Sequence, residues 1–198
     1  MQAPFRNGLL LAGAGAVLLV AMWLMPRQPK EARIKAATIK PGETGELERA
    51  ISLINGSDPM KGILMLRDMV EKDSTNTEAL SYLGLYSLQT GQLDKARERF
   101  EEIVKVDSLH AQAHWQLGQL DFDNEEYGKA ILHFEKVALY HSEEIPGAWF
   151  FLGRCRELTG DFAGALEAYT TFKPLNTDTV VAGRLEEFMA GLKEKLNK

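Results

Sequence analysis

The sequence has a single cysteine, Cys155, so no disulfide within one chain supports its fold. That suits a reducing compartment, and equally an oxidising one in which helix packing supplies the stability. Basic residues are outnumbered: 23 Lys and Arg against 28 Asp and Glu leave a net charge of -5. Nucleic-acid binding asks for a basic patch, and that function class drops out. The chain also lacks a glycine-rich phosphate loop, a nucleophile elbow and a Cys/His pair. No catalytic residue and no cofactor is therefore assigned, and an enzyme is not expected. What is present is an ordinary globular composition, 45% hydrophobic and 26% charged, which excludes wholesale disorder.

The charge is unevenly placed. The first 35 residues hold five basic residues (Arg6, Arg27, Lys30, Arg33, Lys35) and one acid, Glu31. Without them the totals fall to 18 basic and 27 acidic residues, a net of -9 on residues 36–198. Inside that basic collar, Gly8 to Met25 is a run of 18 residues without a charge, long enough to cross about 30 Å of hydrocarbon as a helix. Trp23 suits the headgroup level, and Pro26 ends the helix. A cleaved signal peptide is the rival reading. Its apolar region should be shorter and end in a small-x-small site, whereas this run ends Met-Trp-Leu-Met-Pro-Arg. Residues 1–26 are read as an uncleaved transmembrane anchor and residues 27–45, broken by Pro29, Pro41, Gly42 and Gly45, as a linker. The charge rule puts the remaining domain in the cytoplasm. The leader's likeness to a bacterial signal anchor puts it outside the inner membrane, in the envelope, and that side is preferred.

Residues 46–198 carry an internal repeat, the feature to seek before any other. The pairs Leu83-Gly84, Leu117-Gly118 and Leu152-Gly153 recur at spacings of 34 and 35 residues. Twelve residues beyond each glycine stand Ala96, Ala130 and Ala165, and four further on Phe100, Phe134 and Tyr169. The glycine lets one helix of a hairpin touch the next closely, and the alanine does the same from the facing helix. The aromatic residue lies one turn along the same face and fills the wedge between hairpins. Turns fall between the halves at Thr90-Gly91-Gln92, Asn124-Glu125-Glu126 and Thr159-Gly160-Asp161. A hairpin this small cannot bury its own apolar face, so copies must stack into an all-α solenoid.

These residues resemble the tetratricopeptide repeat family, with its period of 34 and its Trp-x₂-Leu-Gly-x₂-Tyr, Ala, Phe, Pro pattern. Clear repeats are placed at about 77–110, 111–145 and 146–176. A worn copy covers 46–76, with Gly62 where the Ala belongs and Leu66 where the aromatic belongs. A capping helix covers 177–198. Trp149 alone matches the first signature position; His114 stands there in the second repeat, and the closing Pro is absent from the first two. The resemblance implies a concave groove lined by the first helices of the hairpins. Onto it fall Ser81, Leu85, Leu88, Trp115, Gln119, Phe122, Phe150 and Arg154, with Glu157 at the equivalent of Leu88 and Phe122. For Trp115 and Phe150 two readings stay open, groove surface or packing between repeats. The family members that clamp chaperone tails use Lys and Asn at groove positions; Ser81, Leu85, Gln116 and Gln119 stand there, which disfavours that subtype.

Metal binding is not expected. His110 and His114 are four apart, but a repeat boundary falls there and no third ligand is evident. His133 and His141 are isolated in the sequence and read as surface residues. Cys155 reads as buried packing. The expected function is a membrane-tethered scaffold or adaptor whose groove binds a protein or peptide within a membrane-associated assembly. The alternative is a permanent structural subunit of a complex or homo-oligomer with no free groove.

Overall fold

The computed structural model describes residues 43–56 and 58–197. The anchor and most of the linker lie outside these residues. Among the described residues no helix is long and apolar enough to cross a membrane.

Eight helices form four antiparallel hairpins: α1 Glu43–Ile54 with α2 Pro59–Lys72, α3 Thr77–Gln89 with α4 Leu93–Val106, α5 Ala111–Asp123 with α6 Tyr127–Tyr140, and α7 Gly147–Leu158 with α8 Phe162–Phe172. A 3₁₀ turn, Lys173–Leu175, leads to α9, Thr179–Leu196. Each helix packs on the next in sequence. The array is thus an all-helical solenoid, closed by α9 lying on α8. The first helix begins at Glu43, inside the span read as linker; a lone Gly45 in its first turn does not break it.

The helix starts are locally encoded. Asp58, Asn76, Asp161 and Asp178 each accept a hydrogen bond from a backbone N–H of the turn they open, supplying donors that would otherwise lack a partner. His110 does the same for α5, with Nδ1 accepting from Ala113 N at 3.2 Å. The turns inside hairpins two to four are superimposable in their bonding. The N–H of Gly91, Glu125 and Gly160 reaches back three residues, and the N–H of Gln92, Glu126 and Asp161 reaches back five, at 2.8 Å each. That double bond pattern closes a helix through one left-handed residue, with φ of 73° at Gly91, 60° at Glu125 and 85° at Gly160.

The core is a row of wedges, not one centre. Leu47, Ala50, Ile63, Leu66 and Met69 of the first hairpin meet Ala79 and Leu83 of the second. Phe100 and Ile103 of the second meet Ala113, Leu117 and Leu120 of the third. Trp115, Phe134, Phe151, Tyr169 and Phe172 dominate the last and largest cluster, to which Val181, Leu185 and Leu192 of α9 contribute. The repeat signature does its work inside each hairpin. A Cβ on Gly84, Gly118 or Gly153 would fall 2.7–2.8 Å from the ring of Phe100, Phe134 or Tyr169. The worn hairpin keeps this contact with its small residues exchanged: Ala50 stands on the first helix, Gly62 on the second, and Gly62 rests against the backbone of Ala50. Leu66 fills the aromatic position and is fully buried.

Candidate functional site

Three of the residues placed on the groove come together. Leu88, Gln119 and Phe122 line a cavity of about 190 Å³ with Leu93, Gln116, Leu120, Asp123 and Phe151. It sits at the joint of the second and third hairpins, with Phe151 of α7 closing one side. Gln116 and Gln119 stand three apart on α5, so both carboxamides share one face. Both are partly exposed, and neither hydrogen-bonds within the described residues. The wall is otherwise mostly apolar. Asp123 stands at the edge, and burial raises its carboxyl above the usual range.

The other groove candidates are placed differently. Trp115 and Phe150 are each 5% exposed. Trp115 packs edge-on against Phe134 and Phe151, at ring distances of 5.6 and 5.4 Å. Phe150 lies 5.7 Å from Phe151 and 5.6 Å from Phe172. Trp115 thus packs between hairpins three and four, and Phe150 packs inside hairpin four. Ser81 is also buried. Leu85 is half-buried and leans on the same core as Leu88. Arg154 is bound to Glu157 at 2.8 Å, and Glu157 also accepts from the Tyr169 hydroxyl at 3.3 Å and lies 3.7 Å from Lys195 of α9. Arg154, Glu157 and Lys195 therefore form an ion-paired cluster, with Lys195 also 4.9 Å above the Phe162 ring. The Tyr169 hydroxyl, buried and beside Glu157, is pushed well above its usual range.

Sequence reading missed Phe151, the ring around which Trp115, Phe122, Phe134 and Phe150 gather. It also missed a polar joint. Asp121, fully buried, stands where the family pattern has Tyr, and it faces Arg97 of the preceding hairpin at 2.7 Å. The approach lies outside hydrogen-bonding geometry, and neither carboxylate oxygen receives a hydrogen bond, so the pair is ionic. Arg156, at the same repeat position in hairpin four, likewise reaches back to Glu135 of hairpin three at 2.8 Å. His133 is not a surface residue standing alone: its Nδ1 meets His114 Nδ1 at 2.8 Å and its Nε2 lies 3.6 Å from Asp121. His141 binds the Leu109 carbonyl through Nε2 at 2.7 Å. Among the described residues no set of three His, Cys, Asp or Glu groups is arranged to hold a metal. Burial pushes the Cys155 thiol up to about 12, which leaves it an inert packing group at neutral pH.

Stacked helical hairpins with a partly apolar, amide-lined concavity define the class: an α-solenoid of the helix-turn-helix repeat type. The sequence model of the tetratricopeptide repeat family matches residues 83–140 and again residues 116–175, which supports that family for hairpins two to four. No curated protein matches the sequence. Among solved structures, a crystal structure of MamA protein superposes with a TM-score of 0.62 at 22% identity, over 77% of this chain and 84% of that one. MamA AMB-1 gives 0.64 at 18% identity, over 78% and 82%. MamA 41-end from Desulfovibrio magneticus RS-1 gives 0.61 at 15% identity, over 78% and 90%. At these identities the likeness is one of fold.

Proposed function

We propose that this chain is a non-catalytic protein-binding scaffold whose concave joint between hairpins two and three receives an extended peptide. The observation that carries the reading is the pair Gln116 and Gln119. Two carboxamides with no partner among the described residues, set on one face beside Leu88, Leu93 and Phe122, can bond a peptide backbone while the apolar wall takes one of its side chains. Arg154 and Glu157 act as the closed end of the groove, held by Lys195, in place of a charged clamp. Trp115 and Phe150 support the groove from behind.

Membrane tethering is part of the proposal and rests on the sequence: the uncharged run Gly8 to Met25, its Trp23 and the basic collar after it. A bacterial inner-membrane location with the repeats on the outer side follows the signal-anchor character of that run.

The test is saturable binding of extended peptides from a library to the full chain in mild detergent. Leu88→Glu and Gln119→Ala abolish the binding while the helical circular dichroism is unchanged. If both variants bind the same peptides as the parent, the groove reading fails. The structural-subunit reading has one observation behind it: Leu132, Leu139 and Tyr140 of α6 stand more than 60% exposed. It predicts a stable oligomer of the full chain, dissociated by Leu132→Glu with Leu139→Glu.

A further inference from the structure

Of the residues that line the cavity between the second and third hairpins, only Asp123 carries a charge. It is the last residue of α5. The last residues of α3 and α7, at the same place in hairpins two and four, are Gln89 and Leu158, which are uncharged. The carboxylate therefore belongs to this joint and not to the repeat.

Its surroundings disfavour it. The C-terminal end of a helix dipole repels negative charge, and α5 has no basic residue in its last turn to offset that. Burial raises the carboxyl above its usual range. Among the described residues no hydrogen bond and no ion pair reaches it. The other carboxylates of the joint are provided for: Asp121 faces Arg97, and Glu126 is held by Lys129. Beside Asp123, α4 contributes Leu93 to the same cavity, and Leu93 is 49% exposed. An uncovered leucine and an unpaired carboxylate at one opening complement a side chain that is apolar along its stem and cationic at its tip. Lysine and arginine have that form.

We propose that Asp123 sets the specificity of the groove by pairing with a Lys or Arg of the bound peptide, beside the aliphatic residue that enters the apolar wall. The head group meets the carboxylate and the C-terminal end of α5 together, the stem covers Leu93, and Gln116 and Gln119 bond the peptide backbone. The proposal rests on the groove reading and adds the chemistry of the partner: a basic segment with an aliphatic anchor, drawn to a chain that carries a net -9 on residues 36–198.

The experiment selects random phage-displayed peptides on the full chain in mild detergent. Each selected peptide is then synthesised as found and again with its Lys as norleucine or its Arg as citrulline, which keep the stem and lose the charge. The selected peptides should carry Lys or Arg beside Leu, Ile or Val, and the neutral versions should bind the parent about tenfold more weakly. Asp123→Asn, with its circular dichroism unchanged, should bind the charged and neutral versions alike. Asp123→Lys should prefer a version with Glu in place of the basic residue, a swap of preference that a merely damaged groove would not produce. Selected peptides without basic residues overturn the proposal and leave the groove standing, and so does an Asp123→Asn variant that keeps the preference for charge. Peptides that bind the parent, Leu88→Glu and Gln119→Ala equally well remove the groove and this proposal with it.

Discussion

Arg97 and Asp121 face each other at 2.7 Å across the joint between the second and third hairpins, the carboxylate fully buried and the Arg97 side chain partly exposed. The pair spans two repeats, so it reports on stacking and not on either hairpin alone. Taking away Arg97 leaves a buried carboxylate without its cation, and such losses run to about 3–5 kcal/mol in a fully buried pair. Arg97 is partly exposed, so Arg97→Met is expected to cost about 2 kcal/mol at neutral pH. Adding Asp121→Leu removes the stranded charge and should return most of that. Urea denaturation of the two variants measures both effects.

Gly118 and Phe134 define the interior of a hairpin in the same way. A methyl on Gly118 would lie 2.8 Å from Cε1 of the ring, inside contact distance. The ring is fully buried and cannot swing clear. Gly118→Ala should cost about 1–3 kcal/mol as overpacking. Phe134→Leu makes room but leaves a smaller side chain in the wedge. The double variant is expected to lose less than the two single losses added together, which a double-mutant cycle resolves.

The turn of hairpin three carries a different kind of strain. Glu125 has φ 60°, where the equivalent Gly91 and Gly160 stand at 73° and 85°. A side chain in the left-handed region costs about 1–2 kcal/mol, and glycine relieves it. Glu125→Gly should therefore stabilise the chain by about 1 kcal/mol, and Gly160→Ala should destabilise it by a similar amount. Thermal melts of the two variants, shifting in opposite directions, check the assignment.

Cys155 gives a chemical readout of the closed fold. Its thiol is buried and held near 12, so almost no thiolate exists at pH 8. Iodoacetamide should leave it unmodified in the folded chain and label it fully in urea. Rapid labelling without denaturant would mean that α7 does not pack as described.

The repeat was legible in the sequence because its parts are local and periodic. A small residue, a second twelve positions on and a large apolar one four beyond that suffice to place a hairpin, and the first hairpin shows the rule surviving an exchange of Ala50 and Gly62. The site was less legible. The sequence pattern leaves Trp115 and Phe150 between groove and wedge, and only packing shows that they face Phe151 and its neighbours. Gln119 was legible from the repeat register, and Gln116 could have been added to it, as an amide three residues before it on a largely apolar helix. Asp121, Arg97, His114 and His133 could not. They lie on three helices, and nothing in a linear pattern of charges pairs residues 24 or 12 positions apart across a solenoid joint.

In the proposed function the concave joint, and not the outer face of α6, meets the partner. Photocrosslinking tests it most directly, with p-benzoylphenylalanine placed at Gln119 in one full-length variant and at Leu132 in another, both illuminated in native membranes. The account predicts a discrete adduct from position 119, competed by the peptide that binds the purified chain, and none from position 132. An adduct from 132 with none from 119 would contradict it and hand the interaction to the exposed face of α6.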